Sequence, residues 1–215
     1  MKRLFLLCCL AAAVPFSARG ESLERALRAV TDSVRATVGV AVVFGDGDTL
    51  AVNGGRCYPM LSVCKFHQAL AVLDRLDRRG LPLTTRIPVR RSDLLPGTWS
   101  PLREACPGGG RFTVAELLTY SVAQSDNNVC DVLFRFLGGT EAVDRYIAGL
   151  GIGETVIVAD EEMMHRHTDN QYLNRTTPLA AVRLLERFRR GELLSAAYGD
   201  FLLETMFATE TGPDK

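Results

Sequence analysis

The chain has 215 residues, 47% of them hydrophobic, enough for one domain or two small lobes sharing a core. Basic and acidic side chains both number 25, so the formal net charge is zero. No run of basic residues is interleaved with aromatics, which argues against a nucleic-acid partner.

The first twenty residues, MKRLFLLCCLAAAVPFSARG, have a basic start, an apolar stretch over residues 4–14, and small residues near Ala18 and Gly20. That is the pattern of a secretory signal peptide cleaved after Gly20, with a periplasmic or secreted destination. Its apolar part is too short for stable insertion in a bilayer. Processing removes Lys2, Arg3 and Arg19 but no acid, leaving a mildly acidic mature chain. Four cysteines survive: Cys57, Cys64, Cys106 and Cys130. An oxidising compartment permits a disulfide among them, but spacing assigns no pairing. None belongs to a C-x-x-C pair, which argues against zinc.

Residues 22–34 predict an amphipathic helix, with Leu23, Ala26, Leu27, Val30 and Val34 on one stripe. VGVAVVFGDGDTLAVNGG then predicts two strands around the turn Gly45-Asp46-Gly47-Asp48, a β-hairpin. In YPMLSVCKFHQALAVLDRLDRRG, residues 58–80, apolar side chains leave almost no polar face. The ending Arg78-Arg79-Gly80 is a helix stop, so a buried helix is expected. The Pro-, Gly- and charge-rich residues 81–110 predict a long surface loop.

Thr113 and Glu116 form a capping box before Leu117, Leu118 and Val122. SDNNVCDVLFRFLGG predicts a helix capped near Asp126 and stopped by Gly138-Gly139, and Thr140 is expected to cap the next. After a loop over residues 158–176, Thr177-Pro178 opens a further helix, and a last one covers residues 195–206. The order is one helix, two strands, then five or more helices. A lone hairpin is marginal in water, so more strands or a covering layer are expected.

Lys65 lies inside the apolar helix, with Ser62 three residues earlier on the same face. A serine alcohol is a poor nucleophile until a base takes its proton, and an amine in apolar surroundings loses charge more readily. Near a helix N-terminus, backbone N–H groups favour developing negative charge. An isolated S-x-x-K is more often a lysine snorkelling from a half-buried helix. Ser125-Asp126-Asn127 changes that balance. S-x-x-K on a buried helix, followed by S-D-N at the start of another, is the pattern of class A β-lactamases and penicillin-binding proteins.

The sequence resembles the class A serine β-lactamases, and within them the PER- and VEB-like extended-spectrum branch. SVCKFHQALAVLDRL, DLLPGTWSPL, LLTYSVAQSDNN and NQYLNRTTP carry the resemblance in order, from about Ser22 to the last residue. It implies an α+β, serine β-lactamase/penicillin-binding-protein-like fold, with an all-helical lobe beside a helix-flanked antiparallel sheet and catalysis at their junction. A small-molecule β-lactam would acylate Ser62, with Lys65 or Glu161 as base. Ser125 would pass a proton to the leaving nitrogen, Asn127 would hydrogen-bond a substrate amide, and Asp126 would hold the turn through backbone amides. Glu161, thirteen residues ahead of the loop-closing Asn174, would activate the deacylating water, although Asp160 and Glu162 carry the same group. Trp99 would stand at the pocket rim. His165 falls where most of the family has a water-positioning asparagine, and with His167 it lacks a third ligand for a metal.

Ala159 and Asn174 replace the Arg–Asp pair that closes this loop in many relatives, so other contacts must hold it and oxyimino cephalosporins are expected to fit. The resemblance implies no metal or organic cofactor, and a monomer when complete. No K-T-G triplet occurs in the sequence, and the family's last strands and final helix are not matched. Residues 21–215 are therefore expected to be an incomplete catalytic domain, inactive by itself. A D,D-peptidase or penicillin-binding protein shares Ser62, Lys65 and Ser125 but lacks a deacylating glutamate.

Overall fold

The computed structural model describes residues 16–45, 47–209 and 211, with side chains from residue 22. Of the expected signal peptide, residues 1–15 lie outside the described residues. Helix α1 (Phe16–Ser33) starts earlier than the periodicity predicts. Most of its expected stripe is exposed: Leu23, Ala26, Val30 and Val34 face outward, Leu27 is half-buried, and Thr31 is the buried side chain. Strands β1 (Val40–Val43) and β2 (Thr49–Val52) form the predicted antiparallel hairpin, pairing Val40 with Val52 and Val43 with Thr49. Gly47 holds φ +92° at its tip, in the left-handed region that favours glycine.

Short strand β3 (Tyr58–Pro59) leads through a 3₁₀ turn (Leu61–Val63) into α2 (Cys64–Arg79). Gly80, at φ +61°, closes α2 by donating to Leu76 and Asp77 carbonyls, which is the predicted stop. Residues 81–110 are not simply a loop. They hold β4 (Arg86–Arg90), α3 (Pro101–Ala105) and the start of β5 (Gly109–Thr113), with β4 and β5 antiparallel. Ile87 and Val89 alternate inward between exposed arginines, a period-2 pattern masked by Pro88 and the charges.

Gly109 sits at φ +75°, where a Cβ would lie 2.2 Å from the Val89 carbonyl oxygen. Gly138, at φ +95°, has open space around it. Gly109→Ala therefore meets both the left-handed penalty of about 1–2 kcal/mol and a backbone clash, whereas Gly138→Ala meets only the first. Thermal unfolding should show at least about twice the Tm loss for Gly109→Ala; equal losses would contradict the clash.

The chain continues through α4 (Val114–Leu118), a π turn (Thr119–Ala123), α5 (Asn127–Leu137) and α6 (Thr140–Gly149). The Thr113–Glu116 capping box forms as predicted, with Glu116 N donating to Thr113 Oγ1 and Thr113 N to Glu116 Oε2. Thr140, by contrast, is no cap. It is the first residue of α6, and its hydroxyl donates to the Val158 carbonyl, leaving Gly139 at the N-cap. The expected loop over residues 158–176 contains α7 (Glu161–Arg166), a 3₁₀ turn (Thr168–Tyr172) and β6 (Arg175–Thr176), which pairs with β3. Helices α8 (Pro178–Arg189) and α9 (Ala196–Phe207) follow, with Thr177 capping α8.

The core centres on α2, with α5 and α6 packed against it. Leu70, Leu73 and Leu76 of α2 meet Leu117, Leu133 and Ile147, each fully buried and each contributing about 1.5–3 kcal/mol. The β1–β2 hairpin is flanked by α1 and α8. The described residues thus form an α+β fold, a helical bundle beside small antiparallel sheets, as expected. Among them no helix is long and apolar enough to cross a membrane.

Candidate active site

Ser62 lies in the turn that opens α2, immediately after Leu61, which is held at φ +46°. Such a conformation costs a branched side chain about 1–3 kcal/mol and persists only where surrounding bonds impose it. Here Met60 N donates to Asn174 O and Val63 N to Met60 O, clamping the turn from both sides. Lys65, one turn on, is buried, and its Nζ reaches back to Ser62 Oγ at 3.3 Å. The same ammonium donates to Ser125 O at 2.9 Å, Ser125 Oγ at 3.2 Å and Asn127 Oδ1 at 2.6 Å. It pairs with Glu161 Oε1 at 3.2 Å. Ser125 Oγ closes the circuit by donating to Ser62 Oγ at 3.0 Å.

The S-D-N segment reaches this point because the chain leaving the π turn after α4 passes Gln124 and reverses at Ser125, held at φ +56°. Asp126 fixes it there. Its carboxylate accepts from Val129 N, capping α5, from Leu102 N of α3 and from the Oγ of Ser100, which caps α3. Burial pushes its pKa above the ordinary carboxylate range, against those hydrogen bonds and the Lys65 charge. Asn127 is held at both ends, since its Nδ2 donates to Thr98 Oγ1 at 2.8 Å and its backbone N to Trp99 O. Trp99 is 54% exposed, with Nε1 donating to Gln124 O, so it stands on a loop outside the core, and its neighbour Thr98 is the residue that lines the cavity beside Ser62.

Three consecutive acids occupy the start of α7, and they do different things. Asp160 caps the helix by accepting from Met163 N, and Glu162 is exposed and paired with Arg166. Glu161 alone of the three contacts Lys65. Asn174 closes the segment from inside. Its Oδ1 accepts from Val158 N and Ala159 N at 2.9 Å, and its Nδ2 donates to Ala159 O at 2.7 Å. An amide thus does with hydrogen bonds what no ion pair can do at these two positions. His165 is exposed and lines a cavity of about 270 Å³ with Ser62, Thr98, Asn127, Glu161 and Gln171. His167 is not part of that cavity.

Sequence reasoning missed Asp131 and Thr98. Asp131 lies one turn after Asn127 on α5 and accepts from the backbone N of Glu161 at 2.7 Å and of Glu162 at 2.9 Å. The only signal for it was an acid among apolar neighbours on a predicted helix. Burial, reinforced by Asp160 and Glu161, raises its pKa to about 7 against those two amide bonds. The native state then keeps a proton that the unfolded chain releases near pH 4, so this group's linkage lowers stability as pH rises from about 4 to 7. Asp131→Asn lacks the titration but leaves one amide without an acceptor, a cost of about 1–3 kcal/mol. The stability advantage of wild type over Asp131→Asn should therefore shrink between pH 4 and 8. Denaturant unfolding across that window checks it, and a constant gap would contradict it.

An alcohol touched by a lysine and a second serine, with a carboxylate on the lysine, has the parts that acyl-transferring hydrolases use. The chain belongs to the beta-lactamase enzyme family, whose model matches residues 22–214. It is 40% identical over 214 residues to a β-lactamase of Bacteroides uniformis, covering 99% of this chain and 72% of that protein. It is 36% identical to β-lactamase VEB-1 of Pseudomonas aeruginosa, covering 93% of this chain and 68% of that protein. The crystal structure of TLA-3 extended-spectrum β-lactamase superposes with a TM-score of 0.88 at 44% identity, covering 90% of this chain and 71% of that one. The resemblance to the VEB-like branch is thereby borne out.

Proposed function

We propose that the protein hydrolyses the β-lactam ring of penicillins and cephalosporins through an acyl-enzyme on Ser62, and so confers antibiotic resistance. The observation that carries this reading is the single buried ammonium of Lys65 in contact with Ser62, Ser125, Asn127 and Glu161. Ser62 Oγ forms a bond to the lactam carbonyl carbon as its proton passes to the Lys65–Glu161 pair. The ring C–N bond breaks, and the nitrogen takes a proton from Ser125, which Lys65 restores. Asn127 and Trp99 border the substrate, and Asp126 and Asn174 keep the two loops in register. Glu161 then takes a proton from water, whose oxygen attacks the ester carbon; the bond from that carbon to Ser62 Oγ breaks, and the proton passes through Lys65 to Ser62 Oγ. His165, on the cavity wall, is the neighbour of that water. No cofactor takes part in these steps.

The first twenty residues direct export to the periplasm or outside, and the catalytic domain, including residues 21–215, acts as a monomer. Closure of the Glu161 loop by the Asn174 amide leaves room for oxyimino cephalosporins. The test is hydrolysis of a chromogenic cephalosporin by the purified protein. Ser62→Ala should lower turnover by about 10⁴-fold or more. Unchanged turnover in that variant would refute the reading.

A further inference from the structure

Beside Glu161, two buried thiols meet that do not line the cleft. The Sγ atoms of Cys64 and Cys130 and a Glu161 carboxylate oxygen all lie within 4.8 Å of one another. Cys64 is the first residue of α2 and Cys130 sits in the first turns of α5. Both are free and fully buried. Gln68 Nε2 donates to Cys130 O at 2.9 Å, locking the two helices at this level. Glu161 Oε1 is also buried and, its ion pair with Lys65 aside, accepts no hydrogen bond. The donors come from three separate stretches of chain, so no C-x-x-C spacing announces them.

We propose that Cys64, Cys130 and Glu161 form a binding site for a soft divalent cation of the zinc–cadmium class, and that occupying it withdraws Glu161 from the reaction. Thiolates are the preferred ligands of such ions, a carboxylate is an accepted third, and a water completes a tetrahedron. Two thiolates and a carboxylate, set against the Lys65 ammonium, leave formal charge to neutralise a divalent ion. Binding exchanges protons for metal: two S–H bonds break, two metal–sulfur bonds form, and two protons pass to solvent with no change of oxidation state. Glu161 faces the cleft it shares with Ser62, so an ion arrives through that cleft and meets the carboxylate first. Lys65 keeps its bonds to Ser125 O and Asn127 Oδ1 when Glu161 turns to the metal.

The binding claim stands on the donor set alone; its inhibitory consequence rests on Glu161 as the deacylating base. Cadmium ion alone, titrated into the intact reduced protein, should give a thiolate-to-cadmium ultraviolet charge-transfer band that saturates at one equivalent. The band should vanish in Cys64→Ala and in Cys130→Ala, with Ser substitutions as second variants should either Ala form fail to melt cooperatively. It should survive in a Cys57→Ser, Cys106→Ser double variant. Absence of the band, its persistence in both single variants, or a Cys64–Cys130 disulfide in protein isolated without reductant would each overturn the site. Zinc added during cephalosporin turnover should also make an acyl adduct persist in intact-mass spectra, and not in Cys64→Ala. Cadmium binding with no zinc-dependent adduct would retain the site and overturn its inhibitory role.

Discussion

Glu161→Gln should still be acylated by a cephalosporin yet release product about 10²–10⁴-fold more slowly, the range that a positioned general base supplies. Gln keeps the size of Glu but cannot take a proton from water. The three acids at the start of α7 make this a sharp comparison. Asp160 is engaged by Met163 N and Glu162 by Arg166, while Glu161 alone faces Lys65. Asp160→Asn and Glu162→Gln should therefore turn over at nearly the wild-type rate. Intact-mass spectrometry after brief exposure to substrate should show a lasting adduct in Glu161→Gln only. A lasting adduct in Glu162→Gln instead would move the base by one residue.

The second large effect is expected at Asn174. Asn174→Ala leaves Val158 N, Ala159 N and Ala159 O without their buried partner. Each such group costs about 1–3 kcal/mol, so a loss of about 3–9 kcal/mol is expected, a large share of the 5–15 kcal/mol typical of a folded domain. Asn174→Asp keeps both acceptor bonds and loses only the Nδ2 donor to Ala159 O and, weakly, to Met164 Sδ, so it should lose clearly less. Thermal unfolding of the two variants checks the order. Because Ala159 precedes Asp160 and Glu161 directly, the Ala variant should also lose deacylation more than acylation. Equal Tm values for Ala and Asp would show that the amide does not close the loop.

Much of this fold was legible because its signals are local. The hairpin around Gly45–Asp48, the Gly80 stop and the Thr113–Glu116 box each occupy a few consecutive residues, and each forms as read. The β4–β5 pair was missed because arginines and Pro88 hide the inward alternation of Ile87 and Val89. Helix α7 has six residues, too few for periodicity to register. The stripe on α1 was read correctly as apolar but not as exposed, since burial depends on what packs there.

The site divides the same way. Ser62 and Lys65 share a helix turn, and Ser125 to Asn127 are consecutive, so motif spacing found them. Asp131, Thr98 and the Cys64–Cys130 pair have partners on separate elements, which only the packing of α2, α5, α7 and the loop before α3 brings together.

The most direct test of the central claim is to locate the covalent adduct. The Glu161→Gln protein, exposed to a cephalosporin and quenched in acid, is digested and its peptides are sequenced by mass spectrometry. The added mass is expected on Ser62, in the peptide that carries Lys65 or ends at it, and none in the Ser62→Ala, Glu161→Gln double variant. An adduct on Ser125 or on any other residue, or one that survives in the double variant, would contradict it.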